Sequence, residues 1–138
     1  MKEPWHFSDK VFLCQKDVRE LQLAKAAIAA GVQLLCRKRG CRIEDIQTLL
    51  LAGAFGNYLD PESACGIGLL PEALREKIIP VGNAAGAGAR LAVLSEEEFR
   101  RGEKMAEKAG FLELASESDF MDVYVDEMSY AQEDCYGI

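Results

Sequence analysis

The feature that most constrains the fold is a short apolar segment that ends in glycine. Residues 47–52 read Gln-Thr-Leu-Leu-Leu-Ala, and Gly53 follows. The segment is too short for a helix of its own and is apolar on both faces, as strands inside parallel sheets are. Residues 77–81 form a second short apolar run, which ends at Gly82. We therefore predict an α/β fold with short buried strands covered by several helices.

A long helix is predicted before the first strand. Asp17 and Glu20 have the spacing of a capping box, and apolar residues then recur at steps of three and four up to residue 38. Gly40 supplies the stop. The helix is rich in alanine, which permits close approach of another element, and this favours a helix lying on a sheet.

The segment between the two strands predicts a loop and a short helix. Residues 53–59 are glycine-rich and are interpreted as a loop. Asp60 followed by Pro61 is a helix start, because aspartate caps a helix and proline fits its first turn. This helix is expected to end at Gly66 or Gly68, with one further helical turn over residues 71–74.

Three more segments complete the predicted order. Residues 82–91 have almost only small side chains, which predicts a helix pressed against another element. Ser95 and Glu98 form another capping box, for a helix over residues 96–109. Residues 111–114 are expected to be a strand or an extended arm. A last helix begins after Ser118, with apolar residues spaced by four: Phe120, Tyr124 and Met128.

Size, charge and hydropathy exclude several classes of protein. The 138 residues suffice for about one domain, and 49% of them are hydrophobic, which is typical of a globular chain. The formal charge of −7 argues against binding to nucleic acid or to an anionic membrane. The sequence predicts neither an export signal nor a membrane span. A cytoplasmic protein is expected.

The cysteines favour reduced thiols. Five are scattered along the chain without a C-x-x-C pair, and His6 is the only histidine. A disulfide framework is the alternative, but a chain of this length buries a core without one.

One acidic cluster has the composition of a metal site, yet its spacing favours the solvent face of a helix: Asp119, Asp122, Asp126 and Glu127. No catalytic and no metal-binding residue is predicted.

The glycines that follow the strands are the candidates for ligand binding. Gly53 and Gly56 permit backbone amides to approach a ligand at the carboxyl end of a strand, or they serve only a tight turn. The segment lacks the spacing of a Walker A loop and of a dinucleotide fingerprint. Residues 82–88 have the same two interpretations. Asn83 is able to cap the following helix or to contact a ligand.

Four blocks, in order, carry a resemblance to a known family. The chain resembles the C-terminal region of the reductive activators of corrinoid proteins, which are iron–sulfur proteins that use ATP to drive a low-potential electron onto cobalt(II). The resemblance spans residues 11–128. The blocks are DVRELQLAKAAI from Asp17, LAGAFGNYLD from Leu51, GLLP from Gly68 and VGNAAGAGA from Val81.

The resemblance implies a fold and a site. Members carry an ATPase domain of the acetate kinase, sugar kinase, chaperone and actin superfamily, and this chain resembles only its last, actin-like or ribonuclease H-like lobe. A buried strand that ends in glycines forms the adenosine motif there, and a helix matched by residues 86–89 packs behind it. The implied nucleotide-binding residues are Gly53, Ala54, Phe55, Gly56, Asn57, Gly82 and Asn83.

Two parts of the family pattern are missing from the chain. The superfamily's phosphate loops are absent, and so is the Cys-x4-Cys-x2-Cys spacing of the family's ferredoxin domain. Cys36 and Cys41 imitate only the first step of that spacing, so no iron–sulfur cluster is expected here. The resemblance therefore implies half of an ATP site, inactive alone, which leaves open whether the chain by itself is an enzyme.

The implied partners are the missing lobe and N-terminal domains of a longer protein, and a corrinoid protein. The alternative is a non-catalytic structural or docking module that contributes a subunit interface or binds the corrinoid protein, and a homo-oligomer is an expected state. The predicted division is an N-terminal extension at 1–10, the lobe at 11–128 and a flexible acidic tail at 129–138.

Overall fold

The computed structural model describes residues 3–130, with short strands, α-helices and 3-10 helices in alternation. The four strands are β1 (Trp5–His6), β2 (Phe12–Leu13), β3 (Leu49–Ala52) and β4 (Ile78–Gly82). The α-helices are α1 (Gln15–Arg39), α2 (Gly53–Tyr58), α3 (Pro61–Gly66), α4 (Ala84–Leu94), α5 (Glu96–Lys108) and α6 (Phe120–Asp126). The 3-10 helices are Ile43–Asp45, Glu72–Lys77 and Leu114–Ser116.

Helix α1 starts earlier than predicted and ends where predicted. Its N-cap is Cys14, and Asp17 is the third helical residue, whose carboxylate accepts a hydrogen bond of 2.8 Å from the Cys14 backbone N–H. The prediction that Asp17 and Glu20 form the capping box was therefore wrong by one helical turn. Gly40 has a φ of 72° and ends the helix. The left-handed conformation costs glycine nothing, since it has no Cβ.

The alanine-rich face of α1 lies between two apolar clusters. Ala30 and Leu34 pack with Val123 of α6, and Ile28 contacts the second cluster. That second cluster contains one residue of β3 together with residues of α3 and the segment after it: Leu51, Ala64, Cys65, Leu69 and Leu70. Close packing of α1 is confirmed, and its partners include another helix as well as the sheet.

Strands β3 and β4 are parallel, as predicted. Leu49 pairs with Ile78, and Ala52 pairs with Gly82 after an irregularity beyond Leu51. Leu51 is buried, but Leu50 is 61% exposed and Ile79 50% exposed. The prediction of strands buried on both faces is therefore wrong for the described residues, which cover one face of this pair.

The segment after β3 differs from the prediction. Residues 53–59 were expected to form a loop, yet Gly53–Tyr58 is helix α2. Gly53 has a φ of 71°, so the chain turns within one residue and the helix begins at once. The next start is as predicted: the Asp60 carboxylate accepts from the Ser63 N–H at 2.8 Å, and α3 ends at Gly66.

Helices α4 and α5 pack against each other. The Ser95 hydroxyl accepts from the Glu98 N–H at 3.3 Å, which confirms the predicted start of α5. None of the residues of α4 is buried. The small residues of α4 were expected to press against another element, and α5 is that element in the described part of the chain, although the contact buries no residue of α4.

The two ends of the chain also depart from expectation. Strands β1 and β2 pair antiparallel, so His6 lies in a small hairpin. Of the two alternatives for residues 111–114, the strand is wrong: residues 111–113 have no regular secondary structure and a 3-10 helix begins at Leu114. The N-cap of α6 is Asp119 instead of Ser118. The rings of Phe120 and Tyr124 stack at 5.6 Å between centroids. Most of the predicted tail, residues 131–138, lies outside the described residues.

Candidate functional site

The two glycine turns predicted as candidate sites lie side by side. Strands β3 and β4 are parallel and Ala52 pairs with Gly82, so Gly53 and Asn83 follow neighbouring strand ends at one edge of the sheet. The φ of Gly53 is 71° and that of Gly82 is 58°. Both glycines therefore make turns that residues with a side chain rarely adopt. Ligands of open α/β sheets bind at such an edge, outside the carboxyl ends of the strands.

Gly56 is the point at which α2 meets both strands. A Cβ at this residue would lie 2.3 Å from the Leu51 carbonyl oxygen and 2.9 Å from the Gly82 nitrogen. No real side chain tolerates such distances, so glycine is required here for close packing. Of the two interpretations of this glycine, the structure thus shows a packing role. That role also joins the two turns into one unit.

Asn83 caps helix α4. Its Oδ1 accepts a hydrogen bond of 2.9 Å from the Gly86 N–H. A Cβ on Gly86 would lie 2.5 Å from the Asn83 Nδ2, so glycine at position 86 leaves room for the cap. Asn83 is exposed. Sequence reasoning foresaw the capping role of Asn83 but missed its dependence on Gly86, for which the three-residue spacing was a signal.

The seven predicted residues therefore occupy helix α2 and the neighbouring turn at Gly82 and Asn83. Gly53, Gly56, Gly82 and Asn83 come together at the edge of the sheet. Ala54, Phe55 and Asn57 belong to the backbone of α2, and their side chains lie outside what the structure describes. Gly53 and Asn83 are exposed, and Gly82 is half-buried. The edge is thus open to a ligand and is not enclosed in the core.

Two grooves on the described part of the chain lie away from this edge. One, of about 500 Å³, lies between α4 and α5, and the other, of about 420 Å³, lies near Lys38 and Phe111. Neither is lined by the seven predicted residues. An exposed edge of this kind can form one wall of a cleft. The opposing wall would then have to come from elsewhere.

Two residues of the acidic cluster lie beside basic side chains, and the described cysteines are free thiols. Among the described residues, no group of three or more His, Cys, Asp or Glu side chains is placed to hold a metal. Asp119 of the acidic cluster forms an ion pair of 2.7 Å with Arg37, and the carboxylate of Glu127 lies 3.7 Å from the Lys25 ammonium. Cys14, Cys36, Cys41 and Cys65 are free thiols. Within residues 3–130, no helix is long and apolar enough to span a membrane.

Two parallel strands with glycine turns, flanked by helices, are the architecture expected of a lobe of the acetate kinase, sugar kinase, chaperone and actin (ASKHA) superfamily. The chain belongs to the family described as the C-terminal domain of RACo, the ASKHA domain, whose model matches residues 1–137. The resemblance to reductive activators of corrinoid proteins is thereby confirmed, and so is the predicted fold class.

Similar proteins carry names that describe corrinoid chemistry. The chain is 41% identical over 115 residues to the corrinoid activation enzyme RamQ of Eubacterium limosum. The aligned residues are 83% of this chain and 19% of that protein. It is 33% identical over 120 residues to the [Co(II) methylated amine-specific corrinoid protein] reductase of Methanosarcina barkeri, covering 86% and 22%. The chain spans about a fifth of the length of these relatives.

A solved structure has the same fold. The chain matches the reductive activator for corrinoid, iron–sulfur protein with a TM-score of 0.79 and 36% identity, over 86% of this chain and 19% of that one. The fold described above therefore also occurs as about a fifth of that longer solved chain.

Proposed function

We propose that this chain supplies one wall of the adenosine site in a protein that couples ATP to the reduction of a corrinoid protein. The observation that carries the proposal is the pairing of Ala52 with Gly82, which sets two glycine turns together at an exposed sheet edge. The site residues are those predicted: Gly53, Ala54, Phe55, Gly56, Asn57, Gly82 and Asn83. The names of the relatives support the corrinoid partner.

The chemistry of the edge fits the nucleoside part of ATP better than its phosphates. None of the seven residues carries a charge, so they offer backbone groups and uncharged surface. Phosphoryl transfer depends on positioning and on neutralisation of charge, which lysine, arginine or Mg²⁺ usually supply. Those groups belong to the remainder of the longer protein. The chain alone is therefore a half-site that does not hydrolyse ATP.

The sharpest test uses two glycines with the same backbone conformation. Gly53 has a φ of 71° and Gly40 a φ of 72°, and a Cβ on either would meet nothing within 4 Å. Alanine at either position therefore costs a similar strain, about 1 kcal/mol. In a full-length activator carrying this domain, we expect Gly53→Ala to raise the KM for ATP at least about tenfold, which is the effect of losing about 1.4 kcal/mol of binding.

Gly40→Ala is the matched control, and it should leave that KM unchanged. The readout is ATP-dependent conversion of cobalt(II) to cobalt(I) in the corrinoid protein, followed by its visible spectrum. Equal KM values for both variants and the parent would contradict the adenosine site. A second assay uses this chain alone, whose ATP turnover should equal that of buffer. Hydrolysis that disappears in Gly53→Ala would refute the half-site.

A second candidate function is a docking module without nucleotide binding. The observation in its favour is the exposure of apolar residues on α4 and α5, such as Leu94 of α4 at 72% and Met105 of α5 at 63%. Titration of the ¹⁵N-labelled full-length activator with ADP separates the two functions. Amide shifts centred on Gly53 and Gly82 favour the nucleotide site, whereas their absence, with corrinoid-protein binding intact, favours docking.

A further inference from the structure

Two of the cysteines lie close together at the C-terminal end of α1, where four residues separate them along the chain. The Cys41 N–H donates to the Cys36 carbonyl oxygen at 3.1 Å, and the Gly40 N–H donates to the Arg37 carbonyl oxygen at 3.1 Å. With Gly40 in the left-handed conformation, this is a Schellman motif. The motif commonly brings together the side chains at the two ends of the hydrogen bond that spans six residues. Here those two residues are Cys36 and Cys41.

Burial raises the pKa of the Cys36 thiol, and the Cys41 side chain lies close enough to raise it further, at the place where this motif usually makes an apolar contact. Cys36 is buried at 7% exposure, and Cys41 is half-buried. Exposed basic residues flank the pair in the sequence: Lys38, Arg39 and Arg42. The pair thus combines a protected sulfur with a more accessible one.

We propose that Cys36 and Cys41 form a reversible disulfide that locks the end of α1, with a low-molecular-weight disulfide such as glutathione disulfide as the oxidant. The Cys41 thiolate attacks one sulfur of glutathione disulfide and releases one glutathione thiolate. Cys36 then attacks the Cys41 sulfur, forms the intramolecular bond and releases the second glutathione. Two protein thiols are oxidised and one glutathione disulfide is reduced to two glutathiones.

The order of attack follows from the surroundings of the two sulfurs. Burial, and next the neighbouring Cys41 charge, raise the pKa of the Cys36 thiol, so Cys36 is a poor first nucleophile at neutral pH. Cys41 is the more accessible sulfur and reacts first. The backbone hydrogen bond between the two residues holds them near each other, which gives Cys36 a high effective concentration for the second step. This inference does not depend on nucleotide binding, because the pair does not adjoin the seven residues of the proposed site.

Trypsin provides a direct readout, since it cleaves between the two cysteines. The reduced chain of 138 residues is treated with glutathione disulfide in native buffer, its remaining thiols are alkylated, and its peptides are identified by mass spectrometry. A Cys36–Cys41 bond joins the peptides of residues 26–37 and 40–42, which separate on reduction. We expect this linked pair to be at least about tenfold more abundant than any other linked cysteine pair.

Two variants and a denatured sample make the test decisive. Cys41→Ser should abolish the linked pair and leave Cys36 reduced, whereas Cys14→Ser, which changes a half-buried cysteine at the other end of α1, should leave the yield unchanged. In urea the preference for this pair should fall. A glutathione adduct that persists on Cys41, a dominant bond to Cys65, or free thiols in the native chain with oxidation only in urea would each overturn the proposal.

Discussion

At the scale of the residue, Lys25 is the least expected feature of the molecule. Its side chain is 2% exposed, and its ammonium donates to the carbonyl oxygens of Glu127 and Ser129, both at 2.6 Å. The Glu127 carboxylate lies 3.7 Å away, and the ring centroid of Tyr130 lies 5.9 Å away. A buried charge is tolerated only when paired and hydrogen-bonded, and this cation also faces the negative end of the α6 dipole.

Replacement of Lys25 by methionine tests the value of these contacts. Methionine has a similar length but no donor, so two carbonyl groups lose their partner in a buried place. We expect Lys25→Met to lower the free energy of unfolding by about 2 kcal/mol. Urea denaturation measures it. Lys16→Met on the exposed side of α1 is the control and should change stability by less than about 0.5 kcal/mol. Equal stability of the parent and Lys25→Met would show that desolvation offsets these bonds.

Alanine substitutions at two helical glycines, Gly56 and Gly88, should change stability in opposite directions. A Cβ at Gly56 would collide with the Leu51 carbonyl oxygen at 2.3 Å, whereas a Cβ at Gly88 would meet nothing within 4 Å. Gly56→Ala should therefore destabilise by at least about 2 kcal/mol, because backbone must shift. Gly88→Ala should stabilise by about 0.5 to 1 kcal/mol, since alanine favours the helix. Thermal unfolding followed by circular dichroism checks both, and a neutral Gly56→Ala would refute the packing of α2 on the strands.

At the scale of the element, the N-cap of α3 predicts a response to acid. One carboxylate oxygen of Asp60 accepts from the Ser63 hydroxyl at 2.6 Å and from the Ser63 N–H at 2.8 Å. These bonds, the hydroxyl bond first, lower the pKa of Asp60 from its ordinary value of 3.8. A lowered folded pKa means that the carboxylate stabilises the fold above the unfolded pKa and loses this effect as pH falls through the folded pKa.

Asparagine separates the charge of this cap from its hydrogen bond. Asp60→Asn keeps an oxygen acceptor but does not titrate, so its stability relative to the parent should improve as pH falls below about 3.8. Above that value the parent should be the more stable of the two. Urea midpoints measured between neutral pH and the acid range test this. A constant difference between the two proteins throughout would mean that Asp60 does not contribute to the acid response.

The elements that sequence predicted well are those with local signals. Gly40, Asp60 with Pro61, and Ser95 each mark a helix end through groups within four residues, and the structure has ends at these places. Helix α2 was missed because two of its six residues are glycine, which disfavours helix locally. It forms through contact of Gly56 with Gly82, a tertiary effect. Likewise, no local pattern connects Lys25 with Glu127, about a hundred residues away.

The candidate site was predictable in part for a similar reason. A glycine directly after an apolar strand is visible in the sequence, so Gly53 and Gly82 were found. Parallel pairing then brings the two turns together, which the α/β pattern implies. The precise packing of Gly56 and the room that Gly86 gives to Asn83 depend on three-dimensional contacts. The sequence could not predict which residues bind the phosphates, because none of the seven residues is charged.

At the scale of the whole molecule, one exposed apolar surface lies along α4 and α5. The groove between α4 and α5 is lined by apolar side chains that are more than half exposed: Leu91, Phe99 and Met105. Leu94 and Val93 at the end of α4 are exposed at 72% and 86%. Contiguous exposed apolar surface marks an interaction site, and the chain covers only about a fifth of its relatives. This face is therefore where we expect another protein surface to lie.

Self-association of the chain follows as the last prediction. Without another surface, the groove between α4 and α5 should bind a second copy at high concentration, although the charge of −7 opposes this at low salt. Two methionines of equal exposure form a matched pair, because Met105 in the groove is 63% exposed and Met121 on α6 is 61% exposed. In 0.15 M salt, Met105→Asp should weaken dimerisation at least about tenfold, which corresponds to about 1.4 kcal/mol, and Met121→Asp should not. Sedimentation velocity over a range of concentrations measures it, and a parent chain that stays monomeric, or equal effects of both variants, would show that this face does not drive association.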